Sequence, residues 1–247
     1  MGTVTNDPLN IKTNNTSAIF IDASQKVGIG TTGPDAKLDI HGDTRLGDSD
    51  DGNYLNVSST GIVTLKGTAK RWLAVRPDID YTVITAQGKP TQVVVGVFHG
   101  YSMPVYVADQ NEELFFNIHV PGRWDEASNP IVHLLVALAG AEDVSDNFKF
   151  QISWEHLTEG EIIPVTSHDV EVEQAVLTDR NAQYSTYELR FTIDYDVDDP
   201  DNLADHDDLA FRLRRIDATN PDVTNEIIIL DYHVEFQVDK MFDGDAV

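Results

Sequence analysis

The sequence predicts an all-β protein: a short β-rich first part followed by an antiparallel, jelly-roll-like β-sandwich. Three observations carry that expectation. Long stretches alternate between apolar and polar residues, the two-residue period of half-buried strands. No segment sustains the 3.6-residue period of an amphipathic helix. The composition also changes near Lys70. Residues 1–70 hold nine of the 16 glycines, eight acids, six bases and only two aromatics, Phe20 and Tyr54; residues 71–247 hold 34 acids, 11 bases and the other 19 aromatics. The first part has too few large side chains to bury a thick core alone, whereas the second has enough. The joint falls at Gly67–Lys70. It divides the chain into residues 1–20, a β-rich part at 21–70 and a β-sandwich at 71–247.

In the first part, Ala18–Asp22 and Val27–Gly30 read as short strands, and Thr31–Pro34 as a turn. In Ala36–His41, Ala36, Leu38 and Ile40 alternate with Lys37, Asp39 and His41. Residues 48–53 form a turn cluster, followed by strands at Tyr54–Val57 and Gly61–Leu65. Strands this short are marginal in a lone chain, so association with further copies is expected to complete their core.

The second part carries the longer strands. Phe148, Phe150, Ile152 and Trp154 alternate with polar residues, as do Tyr187 to Val197 and Ile228 to Val238. Such runs belong to antiparallel sheets with one face in the core and one wet. Further strands are expected at Tyr81–Thr85, Gln92–Phe98, Leu114–Val120, Ile131–Ala139, Val170–Leu177 and Leu209–Ile216. Ile131–Ala139 has the composition of a helix, but its nine residues between Pro130 and Gly140 suit a buried strand. Nine or ten strands with polar turns suggest a two-sheet sandwich of the jelly-roll type.

Charge and composition narrow the partners. The chain has 247 residues with a formal charge of −25, and a polyanion of this kind disfavours nucleic acid. No apolar run approaches the ~18 residues of a membrane-spanning helix. The first 15 residues have neither a basic nor an apolar export region, so Sec-type export from this end is not expected. With no cysteine there is no disulfide, thiolate metal site or thiol nucleophile.

Gly28-Ile29-Gly30-Thr31-Thr32-Gly33 matches a dinucleotide-binding fingerprint in spacing, but Pro34 and a strand follow where that site needs a helix. A glycine turn built on Gly28, Gly30, Gly33 and Pro34 is the expectation. The longer stretch Val27-Gly28-Ile29-Gly30-Thr31-Thr32-Gly33-Pro34-Asp35-Ala36-Lys37-Leu38-Asp39-Ile40-His41-Gly42 resembles the VGIGTT-x-P-x-x-K-L-x-V-x-G stalk motif of trimeric phage tail-fibre and related fibre proteins. Gly33 departs from it, standing where serine is common. The resemblance covers 16 residues. It implies an intertwined homotrimeric stalk carrying a globular head, with other virion proteins bound through the N-terminus and a place on the tail or capsid surface.

Residues 194–208 pack eight aspartates into 15 positions. Asp194, Asp196, Asp198 and Asp205 occupy positions 1, 3, 5 and 12 of an EF-like calcium loop. The turn glycine, the final glutamate and the flanking helices of such a loop are missing, so a solvated acidic loop competes with a structural calcium site. An excess of aspartate of this kind also marks proteins of saline surroundings. The histidines are scattered, the nearest pair, His156 and His168, being 12 residues apart. His119 and His133 fall within expected strands, where local hydrogen bonds satisfy them. No catalytic motif occurs, and no enzymatic activity is expected. Of the three tryptophans, Trp154 belongs to an inward series. Trp124, between Arg123 and Asp125 in a loop, is the candidate for stacking on a sugar or host protein.

The expected function is therefore a non-enzymatic virion structural protein, a short trimeric fibre whose head binds a host-surface receptor. Seventy residues span at most about 240 Å even fully extended, short for a long tail fibre. A capsid decoration or head-fibre protein is the alternative, and a glycan-cleaving tailspike the second alternative.

Overall fold

The structure, a computed structural model, describes residues 7–48, 52–77, 79–80, 90–107, 112–197, 202–219 and 221–240. The chain divides into two compact units, Met1–Arg71 with Asp239–Val247, and Trp72–Val238. Regular structure among the described residues is β-strand, apart from one 3-10 turn at Gly67–Ala69. No helix of the described residues is long and apolar enough to cross a membrane.

The first unit opens with the hairpin of β1 (Leu9–Thr13) and β2 (Thr16–Ile21). Its two-residue loop, Asn14 and Asn15, has φ of 47° and 58°, the left-handed pair that a type I′ turn needs and that asparagine tolerates. β3 (Val27–Ile29) pairs antiparallel with β2, and β4 (Leu38–Ile40) lies parallel to β3. The glycine motif makes the tight path between β3 and β4 possible. A Cβ on Gly28 would sit 2.5 Å from the Thr31 carbonyl oxygen; one on Gly30, whose φ is 73°, would sit 2.7 Å from that of His41. Pro34 is buried beside them, while Gly33 has open space around its Cα. The motif thus serves a turn that runs into a strand.

A second sheet of this unit is the meander β5 (Thr44–Asp48), β6 (Asn53–Val57) and β7 (Val63–Leu65). Lys240 bridges to Thr64, and the Leu65 amide donates to the Asp239 carbonyl, so the C-terminal segment returns to this unit. Apart from Pro34, the apolar side chains among the described residues of the unit are half-buried at best. Ile11, Ile29, Leu38, Leu46 and Ile62 remain exposed.

The second unit is a two-sheet sandwich. Its strands are β8 (Arg71–Val75), β9 (Ile79–Asp80), β10 (Thr91–Val95), β11 (Phe98–Met103), β12 (Glu113–His119), β13 (Ile131–Leu138), β14 (Asn147–Leu157), β15 (His168–Ala175), β16 (Thr186–Thr192), β17 (Asp208–Ile216) and β18 (Ile227–Val238). One sheet has the order β10-β11-β18-β13-β16, with β8 also beside β18; the other runs β15-β14-β17-β12-β9. The strands from β11 to β18 switch between the sheets in jelly-roll order, and their neighbours pair antiparallel.

Alternation puts one set of side chains between the sheets. Phe148, Phe150, Ile152 and Trp154 of β14 pack with Phe116 of β12, Phe211 of β17, Leu134 of β13, Phe191 of β16 and Phe236 of β18 in one continuous core. Each large side chain so buried contributes about 1.5–3 kcal/mol. One cation lies among them. Arg215 donates to the carbonyls of Pro104, Asn225 and Val223 and to the Asp222 carboxylate at 3.0 Å. Burial presses its pKa down and Asp222 pulls it back.

Several expected strands take a different form. The apolar run Gln92–Phe98 is a hairpin, because Gly96 and Val97 make a two-residue turn that pairs Val95 with Phe98. The Tyr187–Val197 strand ends at Thr192, and residues 195–197 turn away. Ile131–Ala139 is a strand to Leu138, flanked by β18 and β16. The expected strand Tyr81–Thr85 lies outside the described residues.

Candidate functional site

The outward face of the second sheet holds an open groove of 260 Å³. Strand register builds its floor. Phe115, Arg212 and Ser153 form one cross-strand row, and Asn117, Ala210 and Glu155 the next. Ala210 lies at the centre of the second row, where its small side chain leaves a depression between longer neighbours. Pro164, Val165, Thr166 and Ser167, from the β14–β15 connection, form a wall. Val165 in that wall is fully exposed.

Hydrogen bonds hold the guanidinium and the hydroxyl of the floor, and the polar row beside them, in place. Arg212 donates to Ser153 Oγ at 2.8 Å. One row further, Arg214 donates to Gln151 at 2.6 Å, and Gln151 donates to Glu171 at 3.0 Å. Lys149 reaches the other oxygen of Glu171 at 2.5 Å. Its hydrogen bond lowers the pKa of Glu171, and the same contact raises that of Lys149. The groove thus offers an aromatic ring, an amide, a guanidinium, a hydroxyl and a carboxylate on rigid strands. Glu155 is the only carboxylate among the described residues lining it.

The structure corrects the loop expectation. Trp124 has no exposed surface. Its backbone bridges to Val238, and its indole N–H donates to Ser128 Oγ at 3.1 Å and to the Ser128 carbonyl at 3.2 Å. Tyr195 and Phe236 meet its ring edge-on. Asp125 is buried next to it, its amide bonded to the Gln237 carbonyl, and Arg123 is half-buried. A large ring with its one polar atom satisfied internally gains more from the core than from solvent, so this loop closes the sandwich end. Trp154 is core, as its alternation indicates. Trp72 on β8 is the exposed tryptophan, at 51%.

The acidic run is only partly assembled. Asp194 and Asp196 lie close enough for a hydrogen bond between carboxyls, which raises the pKa of Asp194. Asp198 lies outside the described residues. Asp205 is half-buried in a turn beside His206, and among the described residues no three of these carboxylates converge.

Three other ligand-type side chains do converge. His133, His233 and Glu235 place one ligand atom each within 4.8 Å of one another, on the outward face of the first sheet. His133 and His233 are directly opposed on β13 and β18, their rings stacked with centroids 4.8 Å apart. They are 100 residues apart in the chain, so no spacing motif announces them. The groove escaped the sequence reading for the same reason. Asn117, Ala210 and Glu155 meet only through strand order.

No family model matches this chain, and no curated protein does. Among solved structures it is similar to a non-crystalline cellulose specific carbohydrate-binding module, CBM28, at 13% identity and a TM-score of 0.39, over 60% of this chain and 84% of that one. It is also similar to a family 11 carbohydrate-binding module from Clostridium thermocellum, solved with a β-1,3-1,4-mixed-linked tetrasaccharide, at 10% identity and a TM-score of 0.34, over 78% of this chain and 95% of that one. Likenesses of this size do not bear on the ligand, and the jelly-roll assignment stands on the strand order above.

Proposed function

We propose that this chain is a non-enzymatic, fibre-like virion protein whose sandwich binds a host-surface glycan in the groove on its second sheet. The observation that carries the glycan reading is the pair of cross-strand rows, Phe115–Arg212–Ser153 and Asn117–Ala210–Glu155. An aromatic ring suits the apolar face of a pyranose. An amide, a guanidinium prepositioned by its hydrogen bond to Ser153, and a carboxylate suit vicinal hydroxyls, which donate and accept at fixed separations. Hydrogen bonding within the sheet keeps the ordering cost of binding low.

The fibre reading rests on the stalk motif at Val27–Gly42 and on the exposed apolar residues of the first unit. Chains that cannot bury Ile11, Leu38, Leu46 and Ile62 alone gain by associating, and three intertwined copies are the arrangement the motif implies. Light scattering of the intact protein then reads the mass of three chains, and a monomer at micromolar concentration removes the fibre reading.

The test of binding is a glycan panel and labelled host cells incubated with intact protein, beside Phe115→Ala and Asn117→Ala. Saturable binding that both substitutions weaken at least tenfold supports the groove. Absence of binding to host cells and glycans, with attachment to capsids instead, replaces it with the decoration reading. Release of glycan fragments overturns the non-enzymatic assignment.

A further inference from the structure

The geometry points to a divalent transition-metal site, of zinc chemistry, formed by His133 Nε2, His233 Nε2 and a Glu235 oxygen on the first sheet. It lies on the opposite sheet from the groove and does not depend on the glycan reading.

Each imidazole is held in the same way. His133 donates from Nδ1 to Glu188 at 2.8 Å, and Arg190 binds the other oxygen of Glu188 at 3.1 Å. His233 lies with Nδ1 3.3 Å from Asp231, which Arg76 reaches at 3.2 Å. In a neutral imidazole a proton on Nδ1 leaves a lone pair on Nε2, so a carboxylate beside each Nδ1 favours the tautomer that presents Nε2. Both Nε2 atoms face the same carboxylate. His133 Nε2 is 3.0 Å from one Glu235 oxygen, and His233 Nε2 is 3.6 Å from the other.

That arrangement is incomplete without a cation. His133 Nε2 is buried and makes no hydrogen bond despite the nearby carboxylate, and the His133 side chain is only 5% exposed. A lone pair aimed at a carboxylate is repulsive, and a cation between them reverses the sign. Two imidazole nitrogens and one carboxylate oxygen suit zinc, with water as the fourth ligand. Tetrahedral zinc separates its ligand atoms by about 3.3 Å, and the two parallel rings turn toward each other for their in-plane lone pairs to converge on it. The carboxylates bonded to Nδ1 orient the ligand histidines and increase their basicity, as outer partners of metal-bound imidazoles do. The outer arginines leave Glu188 and Asp231 acting through the histidines.

The test is titration of chelator-treated intact protein with ZnCl2 and CoCl2 at pH 7.5, followed by calorimetry, cobalt visible absorption and melting temperature. One metal per chain is expected, with cobalt bands of low coordination number and a raised melting temperature. His233→Ala and Glu235→Gln each weaken affinity at least tenfold, and Asp231→Asn weakens it tenfold to a hundredfold. His119→Ala leaves affinity unchanged. Because His133→Ala removes a buried side chain, the half-exposed His233 carries the decisive variant, with its metal-free circular dichroism spectrum as the folding control. No stoichiometric zinc or cobalt binding by folded wild-type protein overturns the site. So does weak, multiple binding that His233→Ala and Glu235→Gln leave unchanged.

Discussion

Replacing Trp124 with alanine separates a binding ring from a structural one. The indole has no exposed surface, touches Tyr195 and Phe236 edge-on, and places its N–H within reach of both Ser128 acceptors. Removing it combines lost transfer energy with a cavity the surrounding strands cannot fill, at a cost of about 3–5 kcal/mol. For a domain of this size each kcal/mol moves the melting temperature by about 2–4 °C, so Trp124→Ala melts roughly 6–20 °C below wild type. Trp124→Phe keeps most of the ring and loses the N–H bonds, so it falls between the two. Scanning calorimetry of intact protein reads all three. A Trp124→Ala protein that melts within about 2 °C of wild type and yet loses binding to host cells refutes the buried-anchor argument and returns this loop to the ligand.

Other substitutions and conditions test the account at separate points. Arg215→Met leaves the Asp222 carboxylate and three carbonyls without their donor, at a cost of about 3–5 kcal/mol by denaturant unfolding; an unchanged midpoint contradicts the buried cation. Glu171 and Glu188 have folded pKa values lowered first by their hydrogen bonds to Lys149 and His133. Their stabilisation is complete above the unfolded carboxylate range and drains as pH falls through the folded values, so urea midpoints drop on acidification and Lys149→Ala flattens that slope. Calcium chloride and sodium chloride at equal ionic strength raise the melting temperature equally, by screening a chain of net charge −25; an extra gain with calcium instead places an ion at Asp194, Asp196, Asp198 and Asp205.

The sequence exposes what is periodic and hides what is assembled by register. β14 and β18 are legible because their two-residue alternation spans whole strands, and β13 because Pro130 and Gly140 bound its apolar run. The β10–β11 hairpin is obscured by Val95-Gly96-Val97-Phe98, where apolar residues continue through the turn itself. Trp124 misleads because a tryptophan between Arg123 and Asp125 looks solvated, while its ring folds back onto Phe236. Asp194-x-Asp196-x-Asp198 draws the eye as a local pattern, yet its first two residues lie beyond the end of β16 at Thr192, with both side chains exposed. The groove and the paired histidines have no local pattern at all. Asn117 and Ala210, like His133 and His233, lie more than 90 residues apart and become neighbours only when the jelly-roll order is set.

The groove is the centre of the functional account, and calorimetric titration of intact protein with the tightest-binding oligosaccharide from the panel tests it most directly. The account predicts one site per chain, heat lost in Phe115→Ala and in Asn117→Ala, and heat retained in Trp72→Ala, whose ring is exposed on the other sheet. Full heat in both groove variants, or heat lost in Trp72→Ala alone, contradicts it.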